Sequence, residues 1–277
     1  PAGLIAAYEL LKKSNKYKVI VLESDNQVGG ISKTVRYHNN RMDLGGHRFF
    51  SKNEEILELW KEIMPIQGKN SLDDKVLGRT KQLEKNGPDP DKEDCTFLIR
   101  NRISRIYYLK KFFDYPITIN WNNLKNLGFF NIISSGFSYL KSAILKRRET
   151  SLENFYINRF GKKLYKMFFE DYTQKVWGRH PSKISADWGS QRAKGLSVFA
   201  VIKDNIYKIL HIENKNKETS LIESFYYPKY GPGQFFEEME KKIINNKGEV
   251  RKGCTVTKIN VKNKKIVSVK YESKGKE

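Results

Sequence analysis

Gly3 and Glu23 stand twenty positions apart at the start of the chain. That is the distance at which, in a dinucleotide-binding α/β unit, the last glycine of the phosphate turn is followed by an acid that meets the ribose hydroxyls. A carboxylate accepts two hydrogen bonds from a diol, which a neutral side chain does less well. Two glycine pairs follow, Gly29-Gly30 and Gly45-Gly46, the second running into His47-Arg48-Phe49-Phe50. Glycine pairs let backbone N–H groups approach a phosphate or a ring with no Cβ in the way. Either pair alone is ordinary turn chemistry; the ordered series after an acid points to a bound dinucleotide. The full fingerprint is G-x-G-x-x-G, and here only its last glycine, Gly3, is present. The expectation is that the first strand and the phosphate-facing glycines precede Pro1.

The elements that must position these residues are readable. Leu4 to Lys13 has helical periodicity, with Leu4, Ala7, Leu10 and Leu11 on one face. Tyr17 to Leu22 is an apolar run without alternation, as in a parallel strand covered on both faces. Val35 to Asp43 reads as a hairpin turning at Asn39-Asn40. Asn53 to Ile63 predicts a helix with Ile56, Leu59, Trp60 and Ile63 inward, stopped by Pro65. Gln67 to Asp94 reads as an extended surface loop, an insertion with no chemistry assigned.

Later, Thr96 to Pro116 reads as aromatic-rich strands around a turn at Leu109-Lys110-Lys111. Helices dominate from Trp121 to Leu210. Leu127 to Leu145 is apolar enough to be a buried core helix, interrupted by Ser134, Ser135 and Lys141. Thr150-Ser151-Leu152-Glu153 suggests a capping box, and Gly161 a helix end. Lys162 to Trp177 follows with an apolar face of Leu164, Met167, Phe168 and Val176. Phe225 to Gly233 is an aromatic run into a Pro/Gly turn that starts a helix from Gln234. Strands are expected at 248–251, 255–259 and 266–271.

The chain has 277 residues, with 52 basic and 31 acidic side chains, a formal charge of +21. Such a charge raises nucleic acid and anionic membranes as partners. The lysines are spread along helices and turns without an Arg/Lys and aromatic stripe, so neither is favoured; an anionic small molecule would benefit from the same field. Cys95 and Cys254 lie far apart with no C-x-x-C spacing, which suggests neither a disulfide framework nor a metal site and makes a reducing, cytoplasmic setting the expectation. No apolar run reaches the length of a membrane span.

The run V-x-V-L-E-x-x-x-x-x-G-G-x-x-x-T, followed by D-x-G-G-H-R-F-F, resembles the FAD-dependent amine-oxidase-type flavoproteins, and within them the branch containing UDP-galactopyranose mutase and protoporphyrinogen-oxidase-like enzymes. Ile31-Ser32 after the glycine pair fits that branch, as do R-x-S-R-I-Y-Y and K-F-F-D-Y-P further on. The segment Lys175-Val176-Trp177, then Pro181, Lys183, Trp188 and Arg192, matches the mutases with one extra residue before Pro181. The resemblance implies a Rossmann-like FAD-binding domain, discontinuous over 1–95 and 228–277, with an inserted, mainly helical substrate domain over 96–227 carrying an antiparallel sheet.

It further implies that Glu23 holds the adenosine ribose, that Gly29, Gly30 and Ser32 lie along the pyrophosphate and ribityl chain, and that Gly45, Gly46 and His47 face the isoalloxazine. The backbone of Val256 would meet the adenine edge. Arg192 would hold a substrate pyrophosphate, its guanidinium fork binding two oxygens, and Tyr227 and Tyr230 would approach the flavin. From the residues alone, Trp177 and Trp188 could be core and Arg192 a helix cap, and His47 could close a loop hydrogen bond. The function implied is an FAD-dependent oxidoreductase acting on a small molecule. The alternative is a mutase-like isomerase of a sugar nucleotide that needs reduced FAD.

Overall fold

A computed structural model describes residues 1–14, 16–114, 121–193 and 224–273. The chain divides into two units: Pro1–Asn101 with Ser224–Glu277, and Arg102–Glu223.

The first unit opens with helix α1 (Ala2–Lys13) and strand β1 (Ile20–Glu23), then a 3-10 turn (Gly30–Ser32) and the hairpin β2 (Thr34–Tyr37) and β3 (Asn40–Asp43). Helices α2 (Glu54–Ile63) and α3 (Leu72–Val76) lead to β4 (Phe97–Asn101). The chain returns through β7 (Ser224–Pro228), helix α9 (Pro232–Asn245), β8 (Glu249–Lys252), β9 (Cys254–Lys262) and β10 (Lys265–Ser273). Strand β1 pairs in parallel with β8, Glu23 opposite Lys252. The pairs β2–β3, β4–β7 and β9–β10 are antiparallel. Because β4 and β7 pair from Phe97/Pro228 to Asn101/Ser224, residues 96–101 and 224–227 belong with the first unit.

Its core gathers Leu4, Ala7, Tyr8 and Leu11 of α1 with Phe97, Phe235, Met239 and Ile243. Leu10 is exposed, and Tyr8 takes the inward place expected of it. Its phenol donates to Glu62 Oε1 (2.8 Å), so the polar tip is satisfied while the ring is buried. Strand β1 begins at Ile20, and Tyr17 is exposed rather than part of a covered strand. In α2, Ile56 also faces solvent, while Ile63 is buried. The β2–β3 turn is His38-Asn39, both at positive φ, one residue earlier than expected.

The stretch from Gln67 to Asp94 departs furthest from its expectation, because it is built around a buried charge. Asp74 is fully buried, and Lys81 Nζ donates to its Oδ1 (2.6 Å) and to the Ile99 carbonyl (2.7 Å). Ser71 donates from both its N–H and its hydroxyl to Asp74 Oδ2, forming a capping box for α3. Gln67, also fully buried, accepts from the Ile99 N–H (2.7 Å) and donates to the Lys69 carbonyl (2.7 Å). A surface loop has no use for such a network; this one docks on strand β4.

The second unit contains the hairpin β5 (Arg105–Tyr108) and β6 (Lys111–Asp114), then α4 (Trp121–Leu127), α5 (Phe129–Ile144), α6 (Leu152–Tyr165), a π-helical turn (Lys166–Glu170), α7 (Asp171–Trp177), a 3-10 turn (Pro181–Lys183) and α8 (Ala186–Ala193). Leu109 and Lys110 form the hairpin turn, both at positive φ, and Lys111 is already in β6. The α6 cap is Ser151, whose hydroxyl accepts from the Asn154 N–H (3.3 Å), so Glu153 is not its box partner. Gly161 interrupts the helix at φ 80°, ψ 154°. Of the apolar face expected over 162–177, Phe168 is buried and packs on Phe113 of the hairpin, while Val176 is exposed.

Helix α5 overturns its expectation. Its buried residues are Ser135 and Ser142, whereas Phe130 is 86% and Ile144 80% exposed. The cause is close helix approach. A Cβ on Gly161 would lie 2.8 Å from the Tyr139 N, and the Lys163 N–H donates to Ser138 Oγ (3.0 Å). Such contact needs small residues on the facing side of α5, which turns the phenylalanines away from α6. Among the described residues no helix is long and apolar enough to cross a membrane.

Two measurements check these contacts. Burial opposes ionisation of Asp74, but hydrogen bonds from Lys81, Ser71 and Gln67 outweigh it and hold the carboxyl at about 2, against 3.8 ordinarily. With the folded pKa depressed, this stabilisation is complete above about pH 4 and is lost as pH falls to about 2. By linkage it amounts to about 2 kcal/mol in acid unfolding. The Lys81→Met variant leaves Asp74 the hydrogen bonds from Ser71 and Gln67 but, among the described residues, only the longer ion pair to Arg100 (3.4 Å), and should lose about 3–5 kcal/mol in denaturant unfolding. Wild-type stability in that variant would refute the buried pair.

Candidate functional site

The first group of candidates is spread around β1 and the start of α1. Glu23 ends the strand and is half-buried. Its Oε1 accepts from the Asp25 N–H (3.0 Å) and the Ser24 hydroxyl (3.3 Å). Its Oε2 takes no hydrogen bond from the described residues, so an acceptor remains at the strand end. Gly3, in the first turn of α1, faces β1, where a Cβ would meet Val21 Cγ1 at 3.7 Å. The glycine pair folds back on the start of α1. Gly29 and Gly30 take φ 110° and 55°, conformations that side chains resist, and a Cβ on Gly30 would sit 3.3 Å from Pro1 Cδ. The pair therefore lies against the N-terminus of a twelve-residue helix, whose first N–H groups lack intrahelical acceptors and carry positive partial charge. Ser32 closes the 3-10 turn with its N–H on the Gly29 carbonyl (2.9 Å). Gly253 N–H donates to the Asp25 carbonyl (3.0 Å) and brings in the start of β9, where Val256 lies opposite Tyr271.

The second group centres on the 44–48 loop. Gly45 and Gly46 are exposed, and His47 is half-buried. His47 Nε2 is buried without a hydrogen-bond partner among the described residues, and a Cβ on Gly45 would start 3.7 Å from it. Both loop ends are pinned to β7. Before it, Asp43 Oδ2 accepts from the Tyr227 hydroxyl and Oδ1 from Thr34 Oγ1 (2.9 Å). After it, Phe49 and Tyr226 exchange backbone hydrogen bonds (3.1 and 2.9 Å). The Arg48 guanidinium lies 5.5 Å from the Phe225 ring centroid, which keeps a cation beside the loop.

Tyr227 and Tyr230 are both engaged by carboxylates. Burial, and then the hydrogen bond to Asp43, push the Tyr227 phenol well above its ordinary range, so it remains a donor to Asp43. Tyr230 donates to Asp94 Oδ1 (2.7 Å), and Arg41 lies over its ring at 4.0 Å. Lys229 shares Asp94 (2.6 Å), and these two donors hold that carboxyl below its usual value. Neither phenol is free to donate to a substrate in this arrangement. Arg192 falls in the last turn of α8, and its side chain lies outside the described residues. Nearby in sequence, Trp188 packs on the α6 core and Trp177 meets it edge-on at 4.8 Å.

Sequence reasoning missed Thr34, Asp43 and Asp94 as organisers. Asp43 was visible as the acid two residues before Gly45-Gly46; its partner 184 positions away was not.

Together these features lie in one mixed α/β unit and offer groups of the kind that bind a nucleotide. The carboxylate suits a ribose diol, the glycine pair beside a helix N-terminus suits a pyrophosphate, and the unpartnered imidazole nitrogen suits a polar ring edge. The chain belongs to the family of flavin containing amine oxidoreductases, whose model it matches over residues 1–277. Among solved structures it is similar to a reduced UDP-galactopyranose mutase (TM-score 0.56, 15% identity), covering 90% of this chain and 45% of that one. It is also similar to an oxidoreductase from Methanosarcina mazei (TM-score 0.47, 16% identity), covering 99% of this chain and 55% of that one. The chain thus spans about half the length of these structures.

The close packing around Asp43 gives a direct check. Gly231 has φ 96°, and a Cβ there would fall 2.4 Å from Thr34 Oγ1 and 2.8 Å from Asp43 Oδ1. Gly231→Ala should cost about 3 kcal/mol of unfolding free energy through backbone strain and overpacking. Wild-type stability would contradict the contact.

Proposed function

We propose that this chain is part of an FAD-dependent oxidoreductase acting on a small molecule, with Arg102–Glu223 as its substrate unit. One observation carries the reading: Glu23, with an oxygen to spare, ends a parallel strand, and the glycine pair that follows it in the chain folds against the α1 N-terminus.

Each residue has a task in this reading. Glu23 accepts the hydroxyls of the adenosine ribose. Gly29, Gly30 and Ser32 present backbone to the pyrophosphate and ribityl chain, where a Cβ would hold the phosphate off. Gly3 keeps α1 close to β1, so that the helix N-terminus reaches the same anion. The backbone at Val256 borders the adenine, and Gly45 and Gly46 leave room for the isoalloxazine. His47 Nε2 meets the ring edge as a hydrogen-bond partner and can hold a proton there. Tyr227 and Tyr230 shape the wall and orient neighbouring groups, their hydroxyls being committed to Asp43 and Asp94. Arg192 is assigned to an anionic group of the substrate. When bound, FAD supplies a two-electron acceptor, while the protein contributes placement and electrostatics.

The purified protein should carry flavin absorption, and the released cofactor should be FAD rather than FMN. The Glu23→Gln variant should bind FAD about 10- to 100-fold more weakly, the loss of a charge-assisted hydrogen bond. A colourless protein that takes up no added FAD would reject the proposal. Turnover of UDP-galactopyranose that appears only after chemical reduction of the flavin would replace oxidation by isomerisation.

A further inference from the structure

We propose that Asp43 is a positioning residue for the cofactor site: its carboxylate fixes the 44–48 loop and thereby sets where His47 stands. The inference rests on the FAD reading above and adds to it the group that holds the flavin-facing loop in register with the phosphate turn.

Asp43 is the last residue of β3, immediately before the loop. Each of its oxygens takes one donor, Oδ1 from Thr34 and Oδ2 from Tyr227. Thr34 is almost wholly buried and begins β2, two residues after the 3-10 turn formed by Gly30–Ser32. Its Oγ1 also accepts the Gly233 N–H (3.0 Å) at the start of α9. One carboxylate therefore ties the exit of the phosphate turn, strand β7 and the α9 N-terminus to the entrance of the histidine loop. Gly231 packs close to the carboxylate: a Cβ there would fall 2.8 Å from Asp43 Oδ1. His47 Nε2 has no hydrogen bond of its own among the described residues. The ring's placement depends on the backbone that carries it, and Asp43 anchors that backbone on one side.

Asp43→Asn keeps the shape but brings an amide N–H₂ to a pocket arranged around two donors. Tyr227→Phe removes one donor and leaves Thr34 in place. Both variants, with wild type, His47→Ala and the His47→Ala/Asp43→Asn double variant, should be compared in FAD-loaded protein. The readouts are FAD Kd, visible circular dichroism of the bound flavin and its midpoint potential, with thermal unfolding of the apoprotein alongside. Asp43→Asn should raise the FAD Kd about tenfold or more, alter the flavin dichroism and shift the potential. Tyr227→Phe should move all three the same way by less. In the His47→Ala background, Asp43→Asn should no longer shift the potential, since groups acting through one another are not additive.

Wild-type Kd, dichroism and potential in Tyr227→Phe and Asp43→Asn, in a protein that does hold FAD, would overturn the role of Asp43 and leave the FAD reading intact. Fully additive shifts with His47→Ala would overturn the route through His47. A wild-type protein that binds no flavin would overturn both readings. If Asp43→Asn does not fold, Tyr227→Phe alone decides.

Discussion

A single hydroxyl, that of Thr34, joins the parts of the first unit that sequence places far apart. It accepts a backbone N–H from Gly233 at the head of α9 and donates to Asp43 at the end of β3. Both contacts require backbone closer than a side chain permits, which is why Gly231 and Gly233 flank Pro232 there. A Cβ on Gly233 would fall 2.4 Å from the Thr34 N. The glycine loops depend on this junction, because a loop without regular structure takes its position from its ends.

Much of the local structure was readable in advance. The spacing from Gly3 to Glu23, the helix of α1 and the break at Gly161 follow from periodicity and backbone freedom, properties of a few neighbouring residues. The pairing of β1 with β8 and the grip of Tyr227 on Asp43 span more than two hundred and 184 positions respectively. Nothing local encodes them. The resemblance singles out Tyr227 and Tyr230, but nothing near them in the chain reveals the carboxylates, Asp43 and Asp94, that occupy their hydroxyls.

Two errors share a physical origin. Both the polar stretch after Gln67 and the apolar helix α5 were expected to sort by hydrophobicity, the first outward and the second inward. In the first, charge pairing and hydrogen bonds satisfy Asp74 and Gln67 fully enough for burial. In the second, the gain from close helix approach through Ser138, Tyr139 and Gly161 selects the small-residue face of α5. Hydrophobic patterning is a good guide where the burial of apolar surface outweighs the other forces on a segment. It fails where satisfied polar groups or steric fit decide the contact.

The pairing of β4 with β7 has a further consequence. Asn101 and Ser224 are register partners, so from the standpoint of the first unit everything between them is the connection of one long hairpin. The cost of closing such a connection rises only with the logarithm of its length, and here the connection is itself a folded unit. A module inserted at that point can change in length or content while the ladder bonds of β4 and β7 stay as they are.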